Sequence, residues 1–258
     1  MIDLHSHLLP GVDDGSKTVE QSVRVLRGMA QQGIRAVALT PHLLASQAPQ
    51  GAPPLHDRAF AALSAAAPPE VALHRGAEVM LDRPLDPIIA AERRVTLNGS
   101  RYILVEFPRM VAAQTVEHAL ALVVAIGLVP VLAHPERYKC CHIELARRWK
   151  NLGTLLQVDG PTLLSPRPRG DRARELVAEG LADIVAADNH GDQRSLRGAW
   201  DELVAHEGRR QADLLLVRNP RAILDDHLTE LVPPLTWRFS IADRLRALLG
   251  RPQGEDRP

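Results

Sequence analysis

Nine residues in this sequence, five histidines and four carboxylates, are of types and spacings that suit a divalent metal. Near the start, His5-Ser6-His7 follows Ile2 and Leu4. Alternate residues of a strand share one side, so the two imidazoles converge there. Neutral imidazole is the commonest metal-ligating side chain, and the Asp13-Asp14-Gly15 turn can swing a carboxylate back toward the same point. Such a histidine pair is weak evidence alone. Its weight comes from the boxes downstream: Thr40-Pro41-His42, Gly76-Ala77-Glu78, Glu106-Phe107-Pro108, His134-Pro135-Glu136-Arg137 and Asp188-Asn189-His190.

The candidate ligands are therefore His5, His7, Asp14, His42, Glu78, Glu106, His134, Asp188 and His190. A single zinc takes about four ligands. This larger mixed set of N and O donors implies two or three ions sharing bridging carboxylates, and Mn, Fe or Zn suits it. The bland alternative, charges that merely stabilise a rim, requires unpaired carboxylates to converge, where they repel and each is costly to desolvate. The other histidines, at 56, 74, 118, 142, 206 and 227, fall mostly on loops or helices and receive no role.

Seven short apolar segments, at residues 2–5, 35–40, 71–78, 102–106, 129–133, 154–158 and 182–187, read as buried strands. Helical periodicity marks residues 19–32, 55–66, 85–94, 115–126, 141–151, 171–179 and 195–206. Alternation of this kind predicts an α/β fold with a parallel sheet. Six of the seven strand ends carry a candidate ligand. In a closed parallel barrel those ends meet on one face, where such barrels place their active sites. The Pro/Ala/Gln-rich residues 45–54 read as a rim loop.

A chain of 258 residues suits one large domain. Lys+Arg and Asp+Glu balance at 31 each, so no global field favours nucleic acid. The two cysteines, Cys140 and Cys141, are adjacent, which argues against a disulfide framework and fits a cytoplasmic protein. No cleavable signal is expected before residue 5. The apolar run 119–133 is shorter than the ~20 residues of a membrane span and contains Gly127 and Pro130.

These boxes, in this order, resemble the capsule-biosynthesis tyrosine phosphatases of the polymerase-and-histidinol-phosphatase superfamily, from residue 1 to about residue 225. The resemblance implies a distorted seven-stranded β/α barrel with a trinuclear metal centre, Mn being the expected metal. It implies that His5, His7, Glu78 and Asp188 hold one ion, that Glu78 bridges to a second completed by Glu106 and His134, and that Asp14, His42 and His190 hold a third. Arg137 would grip the substrate phosphate. The family's second phosphate-binding arginine falls where this chain has Ser195, leaving Arg194 or Arg197 for that task. A metal-activated hydroxide would then hydrolyse phosphotyrosine, with a rim histidine such as His42 helping the leaving group. The implied substrate is the tyrosine-rich tail of a bacterial tyrosine kinase controlling polysaccharide export.

Other readings stay open. A histidinol-phosphate phosphatase or a nucleic-acid phosphoesterase would use a similar centre, as would a non-catalytic metal-binding scaffold that docks a kinase. Amidohydrolases also begin with paired histidines, but typically bridge their metals with a lysine where this chain has Glu106. Cys141 and Arg147 have the spacing of thiol-dependent tyrosine phosphatases, yet the segment between them lacks glycine, contains Glu144 and continues with helical periodicity. That mechanism is rejected. Residues 1–235 are read as the barrel and 236–258 as an amphipathic helix and tail. Leu245, Leu248 and Leu249 share a face ringed by arginines, which suits either docking on a kinase or membrane surface or packing back on the body.

Overall fold

The computed structural model describes residues 1–237. Its strands are β1 (Ile2–Asp3), β2 (Ala36–Leu39), β3 (His42–Leu44), β4 (Ala72–Arg75), β5 (Glu78–Met80), β6 (Tyr102–Glu106), β7 (Val129–Ala133), β8 (Leu155–Asp159) and β9 (Ile184–Ala186). Between and after them run helices α1 (Val19–Gln31), α2 (Pro54–Ala66), α3 (Ile88–Glu92), α4 (Ala113–Ala125), α5 (Ile143–Asn151), α6 (Gly160–Leu163), α7 (Pro168–Ala178), α8 (Arg197–Ala205), α9 (Arg209–Asp213) and α10 (Asn219–Leu224). The fold is α/β, and every strand pair is parallel.

The strands form two sheets, β1-β2-β4 and β3-β5-β6-β7-β8-β9, rather than the single closed sheet expected. Two of the seven expected strands, 35–40 and 71–78, stop at a break and are followed by a further short strand, β3 and β5. Pro41 has no N–H to give to a ladder, and it separates β2 from β3. Gly76 and Ala77 separate β4 from β5. A Cβ on Gly76 would stand 3.0 Å from Leu97 and 3.2 Å from Thr40, so this crossing needs a bare backbone. Hydrogen bonds carry across the cuts, from Gly76 N to Leu39 O at 3.1 Å and from Glu78 N to Pro41 O at 3.1 Å. The other side is joined by a parallel bridge between Ser6 and Asn189 and by Thr40 N donating to Ser6 O at 2.9 Å.

Strand periodicity sorts the core into two layers. Ala36, Ala38, Tyr102, Leu104, Val131, Ala133 and Ile184 pack together with Ile223 and Leu224 of α10, which closes the end where the strands begin. Their neighbours Val37, Leu39, Ile103, Val105, Leu132, Leu156 and Val185 face the helices in the larger cluster. Asn219 fixes the closing segment by donating to Asp183 O at 3.0 Å and Glu230 O at 2.9 Å.

Most helices lie where periodicity puts them. The segment 85–94 shortens to α3, because the residue before Pro87 is disfavoured in the helical region and Arg93 turns left-handed with φ 52°. Asp159 nucleates the short α6, absent from the sequence reading, by accepting from Thr162 N at 3.2 Å. The amphipathic segment expected beyond residue 236 lies, but for its first two residues, outside the described residues, and no helix among the described residues is long and apolar enough to cross a membrane.

Tyr138 ties two strand ends together. It is 1% exposed, donates from its hydroxyl to Ala133 O at 2.9 Å and accepts from Phe107 N at 3.2 Å. Tyr138→Phe removes both bonds from this buried site, so denaturant unfolding should show a loss of about 1–3 kcal/mol.

Candidate metal centre

All nine residues nominated from the sequence converge at the ends of the strands. Four overlapping groups have ligand atoms within 4.8 Å of one another: His7, Asp14, His42 and His190; His5, Glu78 and His134; His5, His7 and Asp188; and His42, Glu78 and Glu106. Among the described residues no other His, Cys, Asp or Glu enters such a group. His42 and Glu78 open β3 and β5, Glu106 closes β6, His134 follows β7, Asp188 and His190 follow β9, and His5, His7 and Asp14 lie beyond β1.

Glu78 is central, buried to 1% exposure. Its Oε1 lies 2.9 Å from His134 Nε2, and its Oε2 lies 3.1 Å from His5 Nε2, 3.2 Å from His7 Nε2 and 3.1 Å from His42 Nδ1. Two oxygens turned to different histidine sets is the arrangement of a bridging carboxylate. Asp188 Oδ1 faces the same two imidazoles, 3.3 Å from each. Asp14 Oδ1 lies 3.4 Å from His42 Nε2 and 3.5 Å from His190 Nε2. Glu106 Oε1 is 3.4 Å from His42 Nδ1, so the His42 ring stands between two of the groups.

Two further residues, which carry no ligand role in the sequence reading, and the backbone of one nominated ligand fix the imidazoles. His7 Nδ1 bonds Asp13 Oδ2 at 2.7 Å, His5 Nδ1 bonds Gln157 Oε1 at 2.9 Å, and His190 Nδ1 bonds the Asp188 carbonyl at 2.9 Å. Each acceptor takes the Nδ1 proton and so turns the Nε2 lone pair toward the centre. Asp13 is next to the nominated Asp14 and was visible as part of its turn. Gln157 is 152 residues from His5, and nothing local announces it. Asp3, fully buried, accepts from the N–H groups of His5 and Ala187, and burial pushes its carboxyl up to about 7.

The donor set fits divalent cations on its own chemistry. His5 Nε2 and His7 Nε2 approach to 3.2 Å, a contact that two lone pairs tolerate only around a proton or a cation. Burial works against protonating His5, but the Glu78 and Asp188 charges outweigh it and raise its pKa to about 9. Burial likewise opposes protonation of His42, and Glu106 and Glu78 bring it up to about 10. The cluster thus recruits positive charge by itself. His134 and Asp188 also hold left-handed backbone, with φ 35° and 47°, a conformation that costs non-glycine residues about 1–2 kcal/mol.

Beside these groups lie two guanidiniums. Arg137 Nη2 is 2.6 Å from Asp188 Oδ2 and 3.1 Å from Asp159 Oδ2. Arg194 Nη1 donates to Asp188 O at 2.6 Å, and its Nε lies 2.8 Å from Asp192. Both line one cleft of about 420 Å³. Arg197 points elsewhere: it is paired with Asp201 at 2.8 Å on α8 and is 57% exposed. Ser195 donates to Gln32 Oε1. The thiol arrangement is absent. Burial pushes Cys141 up to about 12, and Arg147, on α5, pairs with Glu179 at 2.5 Å.

Comparison with known proteins agrees with this geometry. The profile of the family described as "Capsular polysaccharide synthesis, CpsB/CapC" matches residues 1–225. The chain belongs to that family. It is 29% identical over 244 residues to the tyrosine-protein phosphatase CpsB of Streptococcus pneumoniae, covering 88% of this chain and 100% of that protein. It is also similar to the solved structures described as YwqE from Bacillus subtilis and CpsB from Streptococcus pneumoniae, unique metal-dependent tyrosine phosphatases, with TM-score 0.71, 25% identity and coverage of 92% and 100%. The phosphotriesterase of Mycobacterium tuberculosis shares the fold, with TM-score 0.56 at 11% identity over 87% of this chain and 94% of that one.

Two outcomes follow from the Nδ1 bonds and the raised histidines. Asp13→Asn should weaken Mn binding about 10- to 100-fold in calorimetry, as loss of such an orienting group usually does. In the metal-free protein His5 and His42 remain protonated at pH 7, since their pKa values of about 9 and 10 lie above it. Metal uptake must then release protons, and the binding heat should vary with the ionisation enthalpy of the buffer. Heat that is independent of the buffer would contradict this.

Proposed function

We propose that this chain is a metal-dependent protein-tyrosine phosphatase that removes phosphate from tyrosine-phosphorylated protein, with the tail of a bacterial tyrosine kinase in polysaccharide synthesis as its substrate and the cytoplasm as its location. The observation that carries this is Asp188, which faces His5 and His7 with one oxygen and Arg137 with the other. A metal-binding group and a phosphate-binding group are thereby held on a single carboxylate. Family membership and the relatives' names support the same activity. We read the two sheets as one distorted barrel of seven strand units, a reading supported by the bonds that join them at Ser6, Thr40 and Pro41.

Two or three divalent ions, Mn foremost with Fe or Zn as substitutes, would supply Lewis acidity and lower the pKa of water toward neutrality. His5, His7, Glu78 and Asp188 would hold one, Glu78, Glu106 and His134 a second, and Asp14, His42 and His190 a third. Arg137 and Arg194 bind and orient the phosphate oxygens, a task suited to planar forks of donors. The carboxylates keep Arg137 in place and occupy one of its nitrogens, leaving its other N–H groups for the substrate. His42 is 40% exposed, against 0% for His5 and His7, and stands at the opening. Both of its nitrogens face candidate ligands, Nε2 toward Asp14 and Nδ1 toward Glu78 and Glu106, so helping the departing phenolate oxygen would require one of these contacts to be given up. That help need only be modest, because a tyrosine leaving group has a pKa of about 10.

Protein stripped by chelation and resupplied with Mn, assayed on a phosphotyrosine peptide and on histidinol phosphate, tests the reading. Peptide turnover should vanish on chelation, return with Mn and fall at least about 100-fold in His134→Ala. Cys141→Ser should keep it. Turnover that survives chelation, preference for histidinol phosphate, or loss in Cys141→Ser would each sink the proposal.

A further inference from the structure

Beyond Glu78 the strands set an apolar step beside the metal centre. The β3–β5 register pairs His42 with Glu78 and Leu44 with Met80, and the β5–β6 register pairs Glu78 with Leu104 and Met80 with Glu106. One rung across these strands is therefore His42, Glu78 and Leu104, and the next on the same face is Leu44, Met80 and Glu106. Leu43 and Val79 pack into the larger core cluster on the helix side. Side chains alternate along a strand, so Leu44 and Met80 face the other way, with His42 and Glu78. They stand on the rung of one candidate ligand, Glu106, and about 6.6 Å along the strand from two others.

A lone exposed leucine is ordinary. Here Leu44 is 41% exposed within a strand, and neither it nor its register partner Met80 joins either core cluster. The step opens to solvent beside the exposed His42, at the mouth of the centre. Its backbone is pinned: Ala45 N donates to Met80 O at 3.0 Å, Leu81 N to Glu106 O at 3.1 Å and Arg83 Nη2 to Ser46 O at 2.9 Å. A surface fixed in advance loses little entropy when it is covered.

A polar centre bordered by an apolar step suits a substrate with both characters. In an aryl phosphate the ring is joined to phosphorus through a single oxygen, so a phosphate at the centre brings the ring against whatever borders it. With Arg137 and Arg194 taking phosphate oxygens from the Asp188 side, the ester oxygen is left to face the side where His42 and Leu44 are exposed. Serine and threonine phosphates bring no flat apolar face there.

We propose that Leu44 and Met80 form the platform on which the phenyl ring of phosphotyrosine lies, and that they select aryl over alkyl phosphomonoesters. This rests on the phosphotyrosine reading and places its specificity on one rung of the sheet. The thioether of Met80 suits the task, since sulfur makes favourable contacts with aromatic rings.

Titration of the metal-loaded protein with phenylphosphonate and methylphosphonate tests it. The two share an anionic head and differ in the ring, so the ratio of their affinities reports the platform. The phenyl compound should bind about tenfold tighter. That ratio should fall to about threefold in Leu44→Thr, which keeps a strand-forming residue, and to about one in the Leu44→Thr, Met80→Thr double variant. Leu44→Phe should widen it, and Leu231→Ala, at an exposed leucine next to Glu230 in the closing segment, should leave it unchanged. Leu44→Thr should also raise KM for a phosphotyrosine peptide about threefold with kcat kept, the mark of lost binding shared by ground and transition states. A wild-type ratio near one, a ratio that survives the double variant, or variants that weaken both phosphonates alike overturns the proposal. Turnover of a phosphotyrosine peptide by the wild-type preparation separates the two claims. Its absence sinks the phosphatase reading, whereas turnover with an unmoved ratio sinks only the platform.

Discussion

Glu78 sets the terms for the rest of the molecule. A carboxylate with 1% of its surface exposed, and with Asp188 facing the same two imidazoles, cannot stay ionised without nearby positive charge. Burial pushes its pKa upward, yet His5, His134 and His42 hold it well below the usual range. The penalty for an uncompensated buried ion is several kcal/mol, comparable to the whole stability of a domain. The imidazoles must therefore arrive together, from strand ends far apart in sequence, each with its lone pair or proton aimed inward. That requirement explains Asp13, Gln157 and the Asp188 carbonyl, which hold three rings by their far nitrogens.

The breaks in the sheet serve the same end. In the β3–β5 ladder His42 is the register partner of Glu78, and in β5–β6 Met80 is the partner of Glu106. An uninterrupted strand through Pro41 would carry the β2–β4 ladder straight on. The proline and the Gly76 crossing let the upper strands join the six-stranded sheet instead, which sets His42 beside Glu78. Left-handed backbone at His134 and Asp188 then turns two more side chains inward just where their strands end. Strain at such points persists because the surrounding ladder over-determines it.

Much of this was legible in the chain because the signals are local. A histidine or carboxylate at or just beyond the end of a Val- and Ile-rich run is visible in a window of ten residues, and the candidate ligands were of that kind except Asp14, which was read from its Asp-Asp-Gly turn. The parallel α/β arrangement followed from simple alternation. What escaped depends on neighbours distant in sequence. The sheet division turns on Gly76 meeting Leu97 and Thr40, and no window around Gly76 contains either contact partner. Gln157 looks like any polar residue in a strand until His5 is beside it. Asp159, just past the strand read at 154–158, received no role, yet it caps α6 and meets Arg137. The choice between Arg194 and Arg197 was open in the sequence because both follow His190 closely; only the helix α8, which pairs Arg197 with Asp201, separates them.

Asp188 shows why the two halves of the site cannot be treated separately. Burial alone would raise its pKa, but His5, His7 and Arg137 draw it far below the carboxylate range, so it stays ionised with a demand for cations on both sides. Its Oδ1 answers to the imidazoles and its Oδ2 to Arg137 at 2.6 Å, with Arg194 Nη1 at 3.8 Å. A guanidinium fixed by a carboxylate loses little further freedom when an anion meets its remaining donors, which is the condition for tight and oriented binding. The same carboxylate is held in the centre by the histidines it faces. Any change that frees Asp188 from the histidines also loosens the arginine, so the positions available to a phosphate are set by the charge balance around Glu78.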